Sequence, residues 1–387
     1  MNILTIVNIS NLDDIESDSG YIFNYLLADE FVKNEKNNYF VILPKILRNK
    51  KTRFENWKIY YANIGTTKYE SRYSFDWYNF KKIIKDSKPD VIFLNQCELA
   101  SALKSMLLTI SMEHIKIISY CHYPALHRGD NDEIILDYSL NNSGLCQNIV
   151  MNILSSVNIS DTFIIQSDFA RKMILNFAEK HNYFLNKNIE IIPPPYDPYL
   201  CDYEKTENPR IKKILYNHRL YESYGTDRFL KFVVDNDNLK FIVSDPMPNR
   251  KSLRGKFNNT PVLYRKKLFE CKNVELVDGG QNRELYKQYL NKCHIGMAPY
   301  RKACVWSMAA IDCLCAGIPV VAPNFAAYKE FIHPELLYDN EIQLKKLIEK
   351  LFNNEDFYLK VKNKSEKILE DISPFKTSKK ILNLMRK

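Results

Sequence analysis

Residues 301–330 read RKACVWSMAAIDCLCAGIPVVAPNFAAYKE. An apolar, helix-like run ends at Ala316-Gly317, and the short strand-like segment "IPVVAP" begins at once. Helix followed directly by a β-branched run is one link of the strand–helix alternation that builds α/β folds. One acidic residue, Asp312, interrupts the apolar run, with Cys304 eight residues before it. On a continuous helix the two would sit about 80° apart rather than in line. A carboxylate without a partner in such a helix is costly, so Asp312 is expected to meet a hydroxyl or an N–H.

The same alternation extends in both directions from this stretch. Upstream, "NILTIVNI", "YFVILP", "WKIYYANI", "DVIFLN", "IKIISYCH", "DTFIIQS" and "IEIIPPP" are short runs, rich in β-branched residues and bounded by polar residues or proline. Helical patterns lie between them, as in "SGYIFNYLLADEFVKN". The segment "PPPYDPYLCDYEKTENPRIKK" breaks the pattern with proline and charge and reads as a linker. Beyond it "KILYNH", "LKFIVSD", "NVELVDG", "HIGMAPY" and "PVVAP" restart the alternation, and the chain from about Glu341 is helical and basic. Such alternation predicts α/β architecture with parallel sheets flanked by helices. Two Rossmann-like domains are expected, facing each other across a cleft: 1–200, 201–365, and a helical tail 366–387 returning to the first.

Length and composition agree with that division. A chain of 387 residues is too long for one ordinary core and suits two domains. Hydrophobic residues at 45% and charged residues at 26% exclude disordered and fibrous classes. No apolar run reaches the ~18–20 residues of a membrane span. "MNILTIVNIS" lacks both a basic start and a cleavage site, so a cytoplasmic location is expected. Nine cysteines without a CxxC pair or a Cys/His cluster read as buried thiols, and no metal site is expected. The net charge of +9 points to an anionic partner: nucleic acid, an anionic membrane surface or a phosphorylated ligand. The competing reading is that AT-rich coding DNA, which favours Lys, Asn, Tyr and Ile, would account for much of that excess.

Ligands of open α/β sheets bind at the carboxyl ends of the strands, so the residues there are the site candidates. Gly20 opens the first helix, where exposed N–H groups and the helix dipole favour phosphate. The full GxGxxG fingerprint is absent, which argues against a nicotinamide dehydrogenase. His122 ends a strand and can bond a sugar hydroxyl or phosphate, or serve as a core histidine; His127 and Arg128 follow on a polar loop. In "YNHRL", Arg219 comes after Asn217 and His218 at a strand end and offers a bidentate fork to phosphate. Asp278, Gly279 and Gly280 would let backbone approach a planar base. Arg301 and Lys302, with the N–H groups near Val305, Trp306 and Ser307, are expected to hold a diphosphate at the start of a helix.

Together these positions resemble the retaining glycosyltransferases of the GT-B fold, in particular their large family four. That family carries a Glu, seven residues and a second Glu, then a small residue, a glycine and a "PVVA" strand. Here "CVWSMAAIDCLCAGIPVVAP" is similar, with Asp312 at the second Glu and Cys304 at the first. The resemblance implies that Asp312 binds ribose hydroxyls and that Arg219 binds the donor diphosphate, with Tyr224 where a lysine usually stands. It also implies that His122 contacts the donor sugar. "IIQSDFARKMI" and "IIPPPYDP" resemble further family segments, so the likeness runs along nearly the whole chain.

The function this implies is transfer of a sugar from a nucleotide-diphosphate sugar to a hydroxyl, with retained configuration and no cofactor beyond the donor. His122 and Arg219 are the expected catalytic residues. Gly20, Asp278, Gly279, Gly280, Arg301, Lys302, Val305, Trp306, Ser307 and Asp312 join Arg219 as donor contacts, and His127 and Arg128 are acceptor contacts. Basic and aromatic residues interleave in "KILRNKKTRFENWKIYY", "SRYSFDWYNFKK" and "NRKSLRGKFNNTPVLYRKK", as a surface that tracks phosphates and stacks bases requires. The expected acceptor is therefore a nucleic acid, either a hydroxymethylated base in phage DNA or a tRNA nucleoside. A surface or lipid-linked glycan is the alternative, with peripheral membrane contact left open. A protein that binds nucleotide sugar or nucleic acid without turnover is a further one, motivated by Cys304 and Tyr224.

Overall fold

The structure is a computed structural model that describes residues 1–7, 9, 15–33, 37–65, 70–129, 131, 133–136, 143–201, 212–245, 260–277 and 283–387. The chain divides into two compact units, Met1–Pro195 with Ile372–Lys387, and Tyr196–Asp371. The expected boundaries at 200 and 365 thus move to 195 and 371. Asp197 pairs with Arg283 and so belongs to the second unit, while the helix Glu355–Asp371 runs unbroken to its end there.

In the first unit the strands are β1 (Asn2–Ile6), β2 (Asn38–Pro44), β3 (Lys58–Ala62), β4 (Val91–Leu94) and β5 (Lys116–Cys121). A separate antiparallel hairpin of β6 (Leu126–Arg128) and β7 (Ile134–Leu136) follows, then β8 (Thr162–Ile165) and β9 (Ile189–Ile191). The sheet order is β3-β2-β1-β4-β5-β8-β9, parallel throughout, and it reverses direction between β1 and β4. Successive side chains serve opposite faces. Ile3 and Val7 join the core under the helix Ser19–Lys33, which also takes Ile381, Leu382 and Met385 from the C-terminal helix Pro374–Arg386. Leu4 and Ile6 join the other face, with the helices Trp77–Ser87 and Ala100–Thr109. Burial on both faces is why these strands read as continuous apolar runs.

The second unit repeats the plan. Its strands are β10 (Lys213–Tyr216), β11 (Lys240–Ser244), β12 (Val274–Val277), β13 (Ile295–Met297), β14 (Val320–Pro323) and β15 (Leu337–Tyr338). They run parallel in the order β12-β11-β10-β13-β14-β15, reversing between β10 and β13. Both units are therefore Rossmann-like, and the chain is α/β as expected. Among the described residues no helix is long and apolar enough to cross a membrane.

Two glycines of the second unit are required by geometry. Gly317, at φ 56°, follows the helix Met308–Cys315 and turns the chain toward β14 while the Ile318 N–H donates to the Cys313 carbonyl. Gly225, at φ 63°, precedes the helix Thr226–Asp235, and a Cβ there would lie 2.8 Å from the Tyr300 carbonyl oxygen. Gly225→Ala is expected to cost about 1–3 kcal/mol, through a left-handed conformation and this clash together. Urea unfolding measures it, and an unchanged midpoint would show that the Tyr300 segment yields.

Candidate functional site

In open α/β sheets the crevice where strand order reverses is the place for a ligand. In the second unit that point lies between β10, which leads into Asn217, His218 and Arg219, and β13, which leads into Tyr300, Arg301 and Lys302. Arg219 is partly buried, and among the described residues its guanidinium has no hydrogen-bond or ion-pair partner. Tyr224, where the resemblance would place a lysine, stacks its ring against the Arg301 guanidinium, 4.8 Å from carbon to centroid. Arg301 thus stands at this edge beside an aromatic ring rather than beside a second cation.

Asp312 has the hydroxyl partner that its placement demanded. Tyr286, on the helix Arg283–Lys292, donates to Asp312 Oδ2 at 3.0 Å. Asn217 Nδ2 in turn donates to the Tyr286 hydroxyl at 2.7 Å and to the Ala309 carbonyl at 2.9 Å. A directed chain of hydrogen bonds therefore ties the end of β10 to the middle of the helix Met308–Cys315. Beside it Arg283 pairs with Asp197, which is buried. Burial raises the Asp312 pKa from 3.8 to about 6; the Arg283 cation and the Tyr286 hydroxyl pull it back, and Asp197 adds to the rise. Burial and the Asp312 charge hold the Tyr286 phenol well above its ordinary range, so it remains a donor.

The 301–307 segment differs from expectation. The helix begins at Met308, capped by Ser307, whose Oγ accepts the Ala310 N–H at 3.3 Å. Val305 and Trp306 thus precede the helix, and of the three only Ser307, its N-cap, contributes an N–H to the helix's positive end. Val305 and Trp306 are core residues, Trp306 packing on Phe331 with centroids 4.6 Å apart. Cys304 lies outside the helix too. It is buried, its thiol donates to the Trp306 carbonyl at 3.6 Å, and burial raises its pKa. It is a packed neutral thiol where the resemblance would place a carboxylate. Asp278, Gly279 and Gly280 lie outside the described residues.

In the first unit His122 follows β5, partly buried, with Nε2 bonded to Asn95 Oδ1. Phe23 meets its ring edge-on at 4.8 Å, and Gln166 Nε2 donates to its carbonyl at 2.7 Å. Burial lowers its pKa to about 4, so the ring is neutral near pH 7. At Gly20 the expected anion position is already taken: the N–H groups of Gly20 and Tyr21 both donate to Asp18 Oδ1 at 3.0 Å. A phosphate there would meet this carboxylate. His127 and Arg128 lie on β6, partly exposed, in register with Ile135 and Ile134.

Of the three basic–aromatic stretches, the one at 45–61 leaves Lys45, Arg48, Lys50 and Lys51 exposed, but its tryptophan and two of its cations are taken up by the fold. Trp57 packs against Tyr25, Tyr39 and Phe54, Arg53 pairs with Glu16, and Lys58 pairs with Asp86 at 2.8 Å. The stretch at 71–82 does present rings, Trp77 at 40% and Tyr78 at 78% exposure, with Lys81 and Lys82 exposed on the same helix. The stretch at 249–267 falls largely outside the described residues.

No family model and no curated protein matches the chain. Solved structures do. A sucrose-phosphate synthase from Thermosynechococcus elongatus superposes with a TM-score of 0.75 at 12% identity, covering 100% of this chain and 98% of its own. Anabaena HepE, in complex with UDP-glucose, gives 0.70 at 10% identity, with 99% of each chain covered. The trehalose-6-phosphate synthase OtsA gives 0.69 at 11%, covering 100% and 99%. These neighbours are glycosyltransferases of the GT-B fold, and at such identities the likeness establishes the fold.

Proposed function

We propose that this chain is a glycosyltransferase that moves a sugar from a nucleoside-diphosphate sugar to a hydroxyl acceptor with retention of configuration. The observation that carries the reading is Arg219, a partly buried cation without a partner among the described residues, at the point where the second sheet reverses. A partly buried cation without an internal partner suits an anion that arrives with the substrate. Arg219, with Arg301 and Lys302, stabilises the diphosphate as negative charge develops on it. Asp312, braced by Tyr286, takes the ribose hydroxyls. His122, neutral near pH 7, offers a hydrogen bond to a sugar hydroxyl and no charge. With retention the acceptor attacks the face from which the diphosphate leaves, so the departing phosphate oxygen lies within reach of the acceptor's proton. The UDP-glucose bound to HepE makes UDP-hexoses the first donors to try.

For the acceptor, the exposed Trp77 and Tyr78 with Lys81 and Lys82 support a nucleic acid, a hydroxymethylated base or a tRNA nucleoside, more directly than either other stretch. The donor reading is tested by following nucleoside diphosphate release from a panel of nucleotide sugars; if none is bound or hydrolysed, it fails, and of the alternatives without turnover only a nucleic-acid-binding protein remains. The acceptor is tested by mass spectrometry of DNA, tRNA and surface glycans from cells with and without the active gene. A hexose on a nucleoside is expected. A hexose on a surface glycan alone would replace nucleic acid by polysaccharide.

A further inference from the structure

His218 is a second unusual residue at the same strand end. It is 5% exposed, two positions beyond β10, with its ring edge-on to Tyr216 at 5.2 Å. One ring N–H bonds the carbonyl of Met297, the last residue of β13, while Nε2 is buried with no partner. The donor nitrogen must then be Nδ1, which leaves a lone pair on Nε2. Burial and the nearby Arg301 charge lower the pKa to about 3, so the ring stays neutral and Nε2 remains an acceptor at any physiological pH. A buried acceptor without a donor is destabilising, and an apolar ring of similar size would avoid that cost.

Position indicates what the missing donor is. Bonded from the end of β10 to the end of β13, His218 spans the two strands between which the sheet order reverses. Arg219 is its chain neighbour. A ligand that places an anion on Arg219 and a hydroxyl on His218 is phosphorylated and polyhydroxylated. In the reading above Asp312 takes the ribose, so the hydroxyl left for His218 belongs to the sugar being transferred.

We propose that His218 is a specificity-determining residue whose Nε2 accepts a hydrogen bond from one hydroxyl of the donor sugar. The inference rests on the glycosyltransferase reading and adds to it the atom that selects among sugars. Its test is calorimetric titration of UDP and UDP-glucose into wild type, His218→Phe and His218→Gln. His218→Phe is expected to weaken UDP-glucose about tenfold while leaving UDP unchanged, and His218→Gln, which keeps an acceptor oxygen, to recover most of the loss. Should the Phe variant not fold, UDP-sugars each lacking one hydroxyl are titrated into wild type and His218→Leu: one deoxy donor must bind wild type about tenfold more weakly than its parent and lose no further affinity in the variant. Equal loss for UDP and UDP-glucose, equal binding of all deoxy donors, or no loss in the Phe variant overturns the assignment and leaves Nε2 to a buried water. A wild type that binds neither UDP nor UDP-glucose overturns the donor reading itself, whereas one that binds both and is indifferent to His218 sinks only this inference.

Discussion

Arg219→Ala is expected to lower kcat/KM for sugar transfer by about 10²–10³-fold, the loss typical when one donor to developing negative charge is removed. Its unfolding midpoint should stay where it is. The two expectations come from one observation: among the described residues the guanidinium has no hydrogen-bond or ion-pair partner, so its removal breaks no such bond there. Arg219→Lys should recover part of the rate, because the charge returns without the planar fork. Kinetics with a UDP-sugar alongside urea unfolding separate the effects. A lowered midpoint with unaltered kcat/KM would make Arg219 a structural residue and remove the observation on which the donor site stands.

Asp312→Asn is expected to weaken nucleotide binding by about 10-fold or more, since hydrogen bonds to a charged acceptor contribute roughly 1.5–3 kcal/mol. The same variant should be more stable than wild type at neutral pH. The Asp312 pKa is raised from 3.8 to about 6, with burial as the largest cause. A raised pKa in the folded state means that its contribution is fully present below the unfolded value near pH 4. That contribution is lost as pH rises through about 6, so at pH 8 the charged carboxylate destabilises the fold. With partial exposure discounted, the effect is on the order of 1–3 kcal/mol. Asparagine keeps an oxygen for Tyr286 and carries no charge. The gap between variant and wild-type stability should therefore widen from pH 5 to pH 8, which thermal melting at the two values would show. A gap that is constant or narrows with pH would mean that the Arg283 cation, not burial, dominates at Asp312.

Such a residue is informative because it opposes its surroundings. The helix Met308–Cys315 is otherwise apolar, and alanine in place of Asp312 would suit its packing better. That conflict was visible in the sequence: a carboxylate in an apolar run has to have a partner, and Tyr286 supplies it. The identity of the partner was not visible. Tyr286 and Arg283 sit in "RELYKQYLNK", a pattern that any surface helix carries, and Asp197 sits in a proline-rich segment. Only the sheet order brings all three beside Asp312.

The opposite happened at Cys304, Trp306 and Gly20. At each the structure shows an internal contact that spacing along the chain does not: the Cys304 thiol and the Trp306 ring pack in the core, and the Gly20 N–H donates to the Asp18 carboxylate. Motif spacing counts positions along the chain. It does not report whether a backbone N–H is already bonded, because that depends on a side chain's rotamer and on where a helix starts. The helix beginning at Met308 rather than nearer Arg301 is such a case, decided by the Ser307 cap.

What the sequence determined alone is the fold class. Short β-branched runs alternating with amphipathic or apolar helices, interrupted once by proline and charge, admit few architectures other than two α/β sheets. The reason is that period and burial are local properties, repeated often enough to be read without knowing which strands are neighbours. Strand order, and with it the meeting of Asn217, Tyr286 and Asp312 and the placing of His218 between β10 and β13, was decided by tertiary structure. Those contacts join residues tens of positions apart, and their value depends on desolvation, which no single stretch of sequence contains.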